Sequence, residues 1–161
     1  MANYDFKDLK VLICDDSLQI RALIRNCLMA FGIKDIVEAT DAKTGFQEMV
    51  DSDPDLVITD WNMPAGDGID LIHLIRHSPD SPNHYVPIIM LTGYSELERV
   101  ETARDVGVSS FLAKPMSADS LYRRLVSLVE DQRLFVRCEN FFGPDRRFKE
   151  SETLEGPERR G

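Results

Sequence analysis

The chain has 161 residues, 43% of them hydrophobic, and a formal net charge of −9. That length suits one compact domain with a modest appendage, and no apolar run approaches the roughly 18 residues of a membrane span. The acidic balance argues against direct nucleic-acid binding, which rests on clustered Lys and Arg. The opening MANYDFKDLK lacks the apolar core of a signal peptide, so a soluble, cytoplasmic protein with no membrane contact is expected. Cys14, Cys27 and Cys138 stand in no metal or CxxC spacing and read as free thiols in a reducing compartment.

In chain order, residues 11–14 form the first apolar, strand-like run, and Asp15-Asp16 ends it. Ile20, Leu23, Ile24, Cys27, Leu28 and Phe31 then fall on one helical stripe, with Gly32 placed to cap it. Residues 36–39 are a second strand, followed by a helix over about 41–50 with Phe46, Met49 and Val50 inward. Residues 56–59 are the third strand and run straight into Asp60. Taken alone, an acid at a strand end is a turn or cap residue. The third helix covers roughly 69–76. His73 and His77 lie four apart on it and could offer two ligands to a metal, but no third ligand is evident, and solvated positions are the plainer reading. His84, in the Pro-rich SPDSPNHYVP, is given no chemical role. Residues 88–91 form the fourth strand, ended by Thr92. A fourth helix opens on the capping-box pattern Ser95-Glu96-Leu97-Glu98 and stops at Gly107. Residues 110–113 are the fifth strand, followed by Lys114-Pro115. The last helix begins near Ser117 and presents Leu121, Leu125, Leu128 and Val129.

Nearly continuous apolar strands alternating with helices predict a doubly wound α/β domain: one five-stranded parallel sheet flanked by five helices. In such folds the functional crevice lies at the carboxyl ends of the strands. The polar residues that break the apolar runs, Asp15, Asp16, Asp60, Thr92 and Lys114, all belong to those ends. Carboxylates brought together there repel one another and raise their own pKa values. A nearby lysine and a hard cation such as Mg²⁺ relieve this. Phosphoryl transfer to a carboxylate needs that set: a nucleophile, a metal, a lysine and a hydroxyl donor.

With Asp15-Asp16, Asp60 followed by Met63-Pro64 and Gly68, Thr92, Phe111 and Lys114-Pro115 in order, the chain resembles the CheY-like receiver domain of two-component response regulators. The resemblance covers residues 8 to about 134. It implies a flavodoxin/CheY-like strand order of 2-1-3-4-5. It also implies that Asp60 accepts a phosphoryl group from a histidine kinase or a histidine phosphotransfer protein. Asp16 would ligate Mg²⁺ directly with Asp15 alongside it through water, joined by Asp60 and the backbone carbonyl of Asn62. Lys114 would pair with the acyl phosphate, and the Lys114–Pro115 peptide would be cis. Thr92 and Phe111 would form the switch. The readout surface would comprise the helix predicted over 95–107, the fifth strand and the last helix, in a monomer or weak dimer. The protein would receive the group and lose it slowly, and would not be a conventional enzyme.

The sequence departs from the family pattern beside the switch. Gly93 stands where many receivers carry Ala and loosens the backbone next to Thr92. Tyr94 occupies a position that, by the resemblance, helps set how water reaches the acyl phosphate, where a bulky aromatic would shield it. Trp61 is expected to border the site as an exposed ring, since Asp60 must point the other way. The receiver is assigned to residues 1–134 and a tail to residues 135–161. In that tail GPDRR at 143–147 and GPERR at 156–160 recur thirteen residues apart. Its last half is polar and reads as disordered, while Phe135, Val136, Phe141 and Phe142 are candidates to fold back. The tail is too short for a helix-turn-helix or catalytic module. A relay intermediate or phosphate sink is the alternative function. A haloacid dehalogenase-type phosphatase needs an Asp where Asn62 stands. A degenerate binding-only receiver is opposed by the intact acids, threonine and lysine.

Overall fold

The computed structural model describes residues 4–63, 66–93, 105, 107–130 and 139–140. In chain order they form β1 (Tyr4–Asp5), β2 (Lys10–Cys14), α1 (Leu18–Ala30), β3 (Asp35–Ala39) and α2 (Ala42–Ser52). There follow β4 (Leu56–Asp60), α3 (Gly68–His77), β5 (Ile88–Thr92), β6 (Ser110–Ala113), α4 (Ala118–Glu130) and β7 (Glu139–Asn140). The helix expected between 95 and 107 lies outside the described residues, Asp105 and Gly107 excepted. Five strands make one parallel sheet in the order β3-β2-β4-β5-β6. Numbered among themselves, these strands run 2-1-3-4-5, as the resemblance implied. Separately, β1 and β7 pair antiparallel, Tyr4 opposite Asn140 and Asp5 opposite Glu139. The other tail residues, and Cys138, lie outside the described residues.

The sheet's apolar runs follow from its position. Every residue of β4 and β5 is buried, whereas the edge strands β3 and β6 are partly exposed. Alternate side chains enter two separate cores. Val11, Ile13, Leu56, Ile58 and Leu91 pack toward α1 and α4 against Ile24, Leu28, Leu121 and Leu125. Leu12, Cys14, Val57, Ile88 and Met90 pack toward α2 and α3 against Met49, Leu71, Ile72 and Ile75.

The helices start where the sequence supplies caps. The Ser17 hydroxyl accepts from the Ile20 N–H ahead of α1, and Asp41 and Asp67 form capping boxes with Thr44 and Asp70. Gly32, at φ +96°, follows α1 in the left-handed region that glycine enters without steric cost. All four residues expected inward on the last helix are buried. Two expectations on the earlier helices are corrected: Leu23 is 42% exposed and Val50 39% exposed. The buried arc of α1 is turned the other way, toward Arg21 and Arg25, which reach Glu38 on β3. On α2 the inward face is made of Ala42, Gly45 and Met49, so narrow that Val50 falls outside it. A Cβ on Gly45 would lie 2.9 Å from Cys14 Sγ, so the missing side chain is what lets α2 sit so close to β2. Among the described residues no helix is long and apolar enough to cross a membrane.

Candidate functional site

The sheet register places the site. Cys14 on β2 lies opposite Thr59 on β4, so Asp15 and Asp60 follow at the carboxyl ends of adjacent strands. Asp60 pairs with Leu91 on β5, one residue before Thr92, and Thr92 pairs with Ala113, one residue before Lys114. Residues far apart in sequence thus converge on one edge of the sheet. Asp15, Asp16 and Asp60 each offer a carboxylate oxygen, and these oxygens lie within 4.8 Å of one another. Asp15 and Asp60 are buried, and Asp16 is exposed. Lys114 Nζ stands 2.7 Å from Asp60 Oδ1, and its backbone N–H donates to the Thr92 carbonyl at 2.9 Å. The Lys114–Pro115 peptide is cis.

Asp60 is held from several sides. Its Oδ1 also accepts the Trp61 N–H at 2.8 Å, and its carbonyl accepts the Thr59 hydroxyl at 3.0 Å. The Gly68 N–H donates to the Trp61 carbonyl at 2.9 Å, bringing the start of α3 under the acceptor loop. A Cβ on Gly68 would overlap the Asp60 carbonyl oxygen and come within 2.8 Å of Met90 Cε, so any other residue there forces the acceptor backbone to shift.

Asp15 is the group whose environment asks for a cation. Its N–H donates to the Ala39 carbonyl at 3.0 Å and its Oδ1 accepts the Ser17 N–H at 2.8 Å. Its Oδ2 is buried with no hydrogen-bond partner among the described residues. Burial pushes the Asp15 carboxyl up to about 6; the Ser17 N–H opposes this, and the Asp60 charge adds to it. Buried polar atoms in folded proteins are nearly always partnered, so the bare oxygen marks a place for a ligand. With one lysine against three carboxylates, two negative charges stay uncompensated, the charge of one divalent ion. An all-oxygen donor set selects a hard ion such as Mg²⁺ or Ca²⁺. The residues present fit such an ion.

The remaining expected residues are placed as follows. Thr92 is buried at the end of β5, and Gly93 after it is half-buried. Phe111 is half-buried on β6 opposite Met90, and its carbonyl accepts Arg124 Nε at 2.7 Å. Asn62 and Pro115 are exposed. Tyr94 and Pro64 lie outside the described residues. The expectation for Trp61 is corrected: the ring is fully buried in the core beneath α2 and α3. Strand alternation does turn it away from Asp60, but that side of the sheet is covered by helices instead of solvent. His73 and His77 are exposed with ring centroids 5.7 Å apart, and among the described residues they join no group of three metal-ligating side chains. His84 Nε2 lies 2.8 Å from the Ser78 carbonyl. Cys14 and Cys27 are buried free thiols, and burial pushes Cys14 up to about 12, far from a reactive thiolate. Sequence reasoning missed Arg21, whose Nη1 donates to the Asp15 carbonyl at 2.8 Å. No local pattern announces that contact, since its anchor Glu38 lies on another strand.

The chain is similar to known proteins in sequence and in fold. The description "Response regulator receiver domain" matches residues 11–126. The chain is 35% identical over 124 residues to the chemotaxis protein CheY-3 of Vibrio cholerae, covering 77% of this chain and 94% of that one. It is 31% identical over 122 residues to the chemotaxis protein CheY of Pseudomonas aeruginosa, covering 76% and 97%. A putative response regulator from Chloroflexus aurantiacus superposes with a TM-score of 0.70 at 25% identity, covering 77% of this chain and 99% of the other. The chemotaxis response regulator CheY4 of Vibrio cholerae gives 0.68 at 28% identity, covering 74% and 98%. By the family match and by its identity to these relatives, the chain belongs to the response regulator receiver domain family.

Proposed function

We propose that this protein is a phosphorylation-dependent signalling switch in which Asp60 is the phosphoryl acceptor. The observation that carries the reading is the convergence of three carboxylates and Lys114 at the strand ends, with Lys114 Nζ 2.7 Å from Asp60 Oδ1. Among the described residues both contacts to the carboxylate fall on Oδ1, which leaves Oδ2 to attack. The donor is a phosphohistidine of a histidine kinase or of a histidine phosphotransfer protein. Asp60 bonds to phosphorus, the N–P bond breaks with its electron pair left on the imidazole, and a mixed carboxylic–phosphoric anhydride stands on Asp60. Lys114 keeps its charge and pairs with the transferred group, and the Thr92 hydroxyl donates to another of its oxygens. Asp15, Asp16, Asp60 and the Asn62 carbonyl would hold a Mg²⁺, which supplies positive charge against the phosphoryl oxygens.

Thr92 and Phe111, on the adjacent strands β5 and β6, carry the signal outward to the face that includes β6 and α4; most of residues 95–107, the rest of the expected readout surface, lie outside the described residues. There a monomer or weak dimer meets a protein target in the cytoplasm. Coupling of this kind is worth about 1–3 kcal/mol, enough to bias a partner's affinity without rebuilding the fold. The receiver spans residues 1–134, with 135–161 as its tail. Incubation with acetyl phosphate and Mg²⁺, followed by intact mass, tests the reading. The wild type gains one phosphate, and both chelation of the metal and Asp60→Asn abolish the gain; a folded wild type that gains none contradicts it.

A further inference from the structure

Both backbone polar groups of Asp15 are spoken for. Its N–H donates to the carbonyl of Ala39 on β3. Its carbonyl accepts Arg21 Nη1 at 2.8 Å, across the turn from β2 into α1. The same guanidinium donates from Nε to Glu38 Oε1 at 2.9 Å, and Glu38 is the residue before Ala39. The other Glu38 oxygen takes Arg25 Nε at 2.6 Å. Two consecutive residues of β3 therefore grip Asp15 on both sides, one directly and one through Arg21. The side chains of Arg21 and Glu38 are only 13% and 24% exposed, so water competes weakly for these bonds. Burial alone would raise the Glu38 carboxyl, but the bonds and charges of Arg25 and Arg21 outweigh it and hold it below the usual carboxylate range. It stays an anion, shared between Arg21 and Arg25.

We propose that Arg21 is a positioning residue for the cation site, its guanidinium fork locking the Asp15 carbonyl to Glu38 so that the buried Asp15 oxygen faces the metal. The inference rests on the acceptor reading above. Mg²⁺ demands near-ideal octahedral geometry at about 2.0–2.1 Å, so a turn that drifts by a few tenths of an ångström loses affinity. Glu38 is shared between Arg21 and Arg25 and offsets only one of their two charges, so a variant that keeps the charge is needed to isolate the geometric contribution. A lysine would keep the charge but lacks the planar fork that spans two acceptors.

The test is Mg²⁺ affinity, followed through the fluorescence of Trp61, the chain's single tryptophan, whose backbone N–H donates to Asp60 Oδ1. Arg21→Met is expected to weaken Mg²⁺ binding about tenfold, the lower end for loss of a group that orients a metal ligand, and Arg21→Lys by a similar factor. Arg76 bonds the carbonyls of Gly107, His84 and Val86 and serves as the control. Arg76→Met is expected to lower the melting temperature while keeping Mg²⁺ affinity within about twofold, as for independent sites. If Arg21→Met does not fold, Arg21→Lys decides. Wild-type affinity in the folded Arg21 variants, or an equal loss in Arg76→Met, overturns the positioning role while acceptance of phosphate by the wild type stands. A wild type that takes neither Mg²⁺ nor phosphate overturns the acceptor reading, and this inference with it.

Discussion

At the scale of single residues, Asp15 shows how the site trades stability for chemistry. Its carboxyl rises from 3.8 to about 6 because burial disfavours the charged form. A raised folded-state pKa means this group's contribution to stability is fully present below about pH 4 and is lost as pH rises through about 6. The span corresponds to at most about 3 kcal/mol. In chelator, Asp15→Asn is therefore expected to melt higher than the wild type, by a margin that widens between pH 4 and pH 7. Added Mg²⁺ reverses the order, because it stabilises the wild type in proportion to its binding and the variant hardly at all. Thermal melts across pH with and without Mg²⁺ check both statements, and a margin that stays flat with pH contradicts the account of Asp15. Gly68 is constrained as tightly. Gly68→Ala forces a Cβ onto the Asp60 carbonyl and is expected to cost about 1–3 kcal/mol, as overpacking does, while slowing phosphorylation from acetyl phosphate.

At the scale of elements, the strands were legible because a parallel strand buried on both faces must be apolar at successive positions. The acids, Thr92 and Lys114 were legible because each interrupts such a run at its carboxyl end. The helices were legible less completely. Periodicity places Leu23 and Val50 on the same stripes as Ile24 and Met49, but it does not say which edge of a stripe meets the sheet. That choice was made by Arg21 and Arg25 reaching Glu38, and by Gly45 letting α2 settle against Cys14. Leu125→Ala, in the core between α4 and the sheet, is expected to cost about 2–5 kcal/mol. Leu23→Ala, on the same side of the sheet but 42% exposed, is expected to stay within about 0.5 kcal/mol. Urea denaturation of the two variants separates the faces, and comparable losses contradict the arrangement of α1. Trp61 is the same lesson on a strand. Alternation gave its direction correctly, but the cover supplied by α2 and α3 comes from elsewhere in the chain.

At the scale of the whole molecule, a parallel sheet gathers side chains from the ends of β2, β4, β5 and β6 onto one edge, and the helices seal both faces beneath it. Removing residues 135–161 is expected to leave phosphate acceptance intact, since the site is built wholly from residues before 116; an inactive truncated chain that still folds contradicts the proposed boundary. The switch depends on where the phosphoryl group goes. The most direct test is borohydride reduction of the acetyl phosphate-treated protein, followed by peptide mapping by tandem mass spectrometry. An acyl phosphate on Asp60 is reduced to an alcohol, so the expected result is homoserine at position 60 and aspartate at positions 15 and 16. Phosphate on His73, His77, His84 or a hydroxyl residue, with position 60 unreduced, would contradict it.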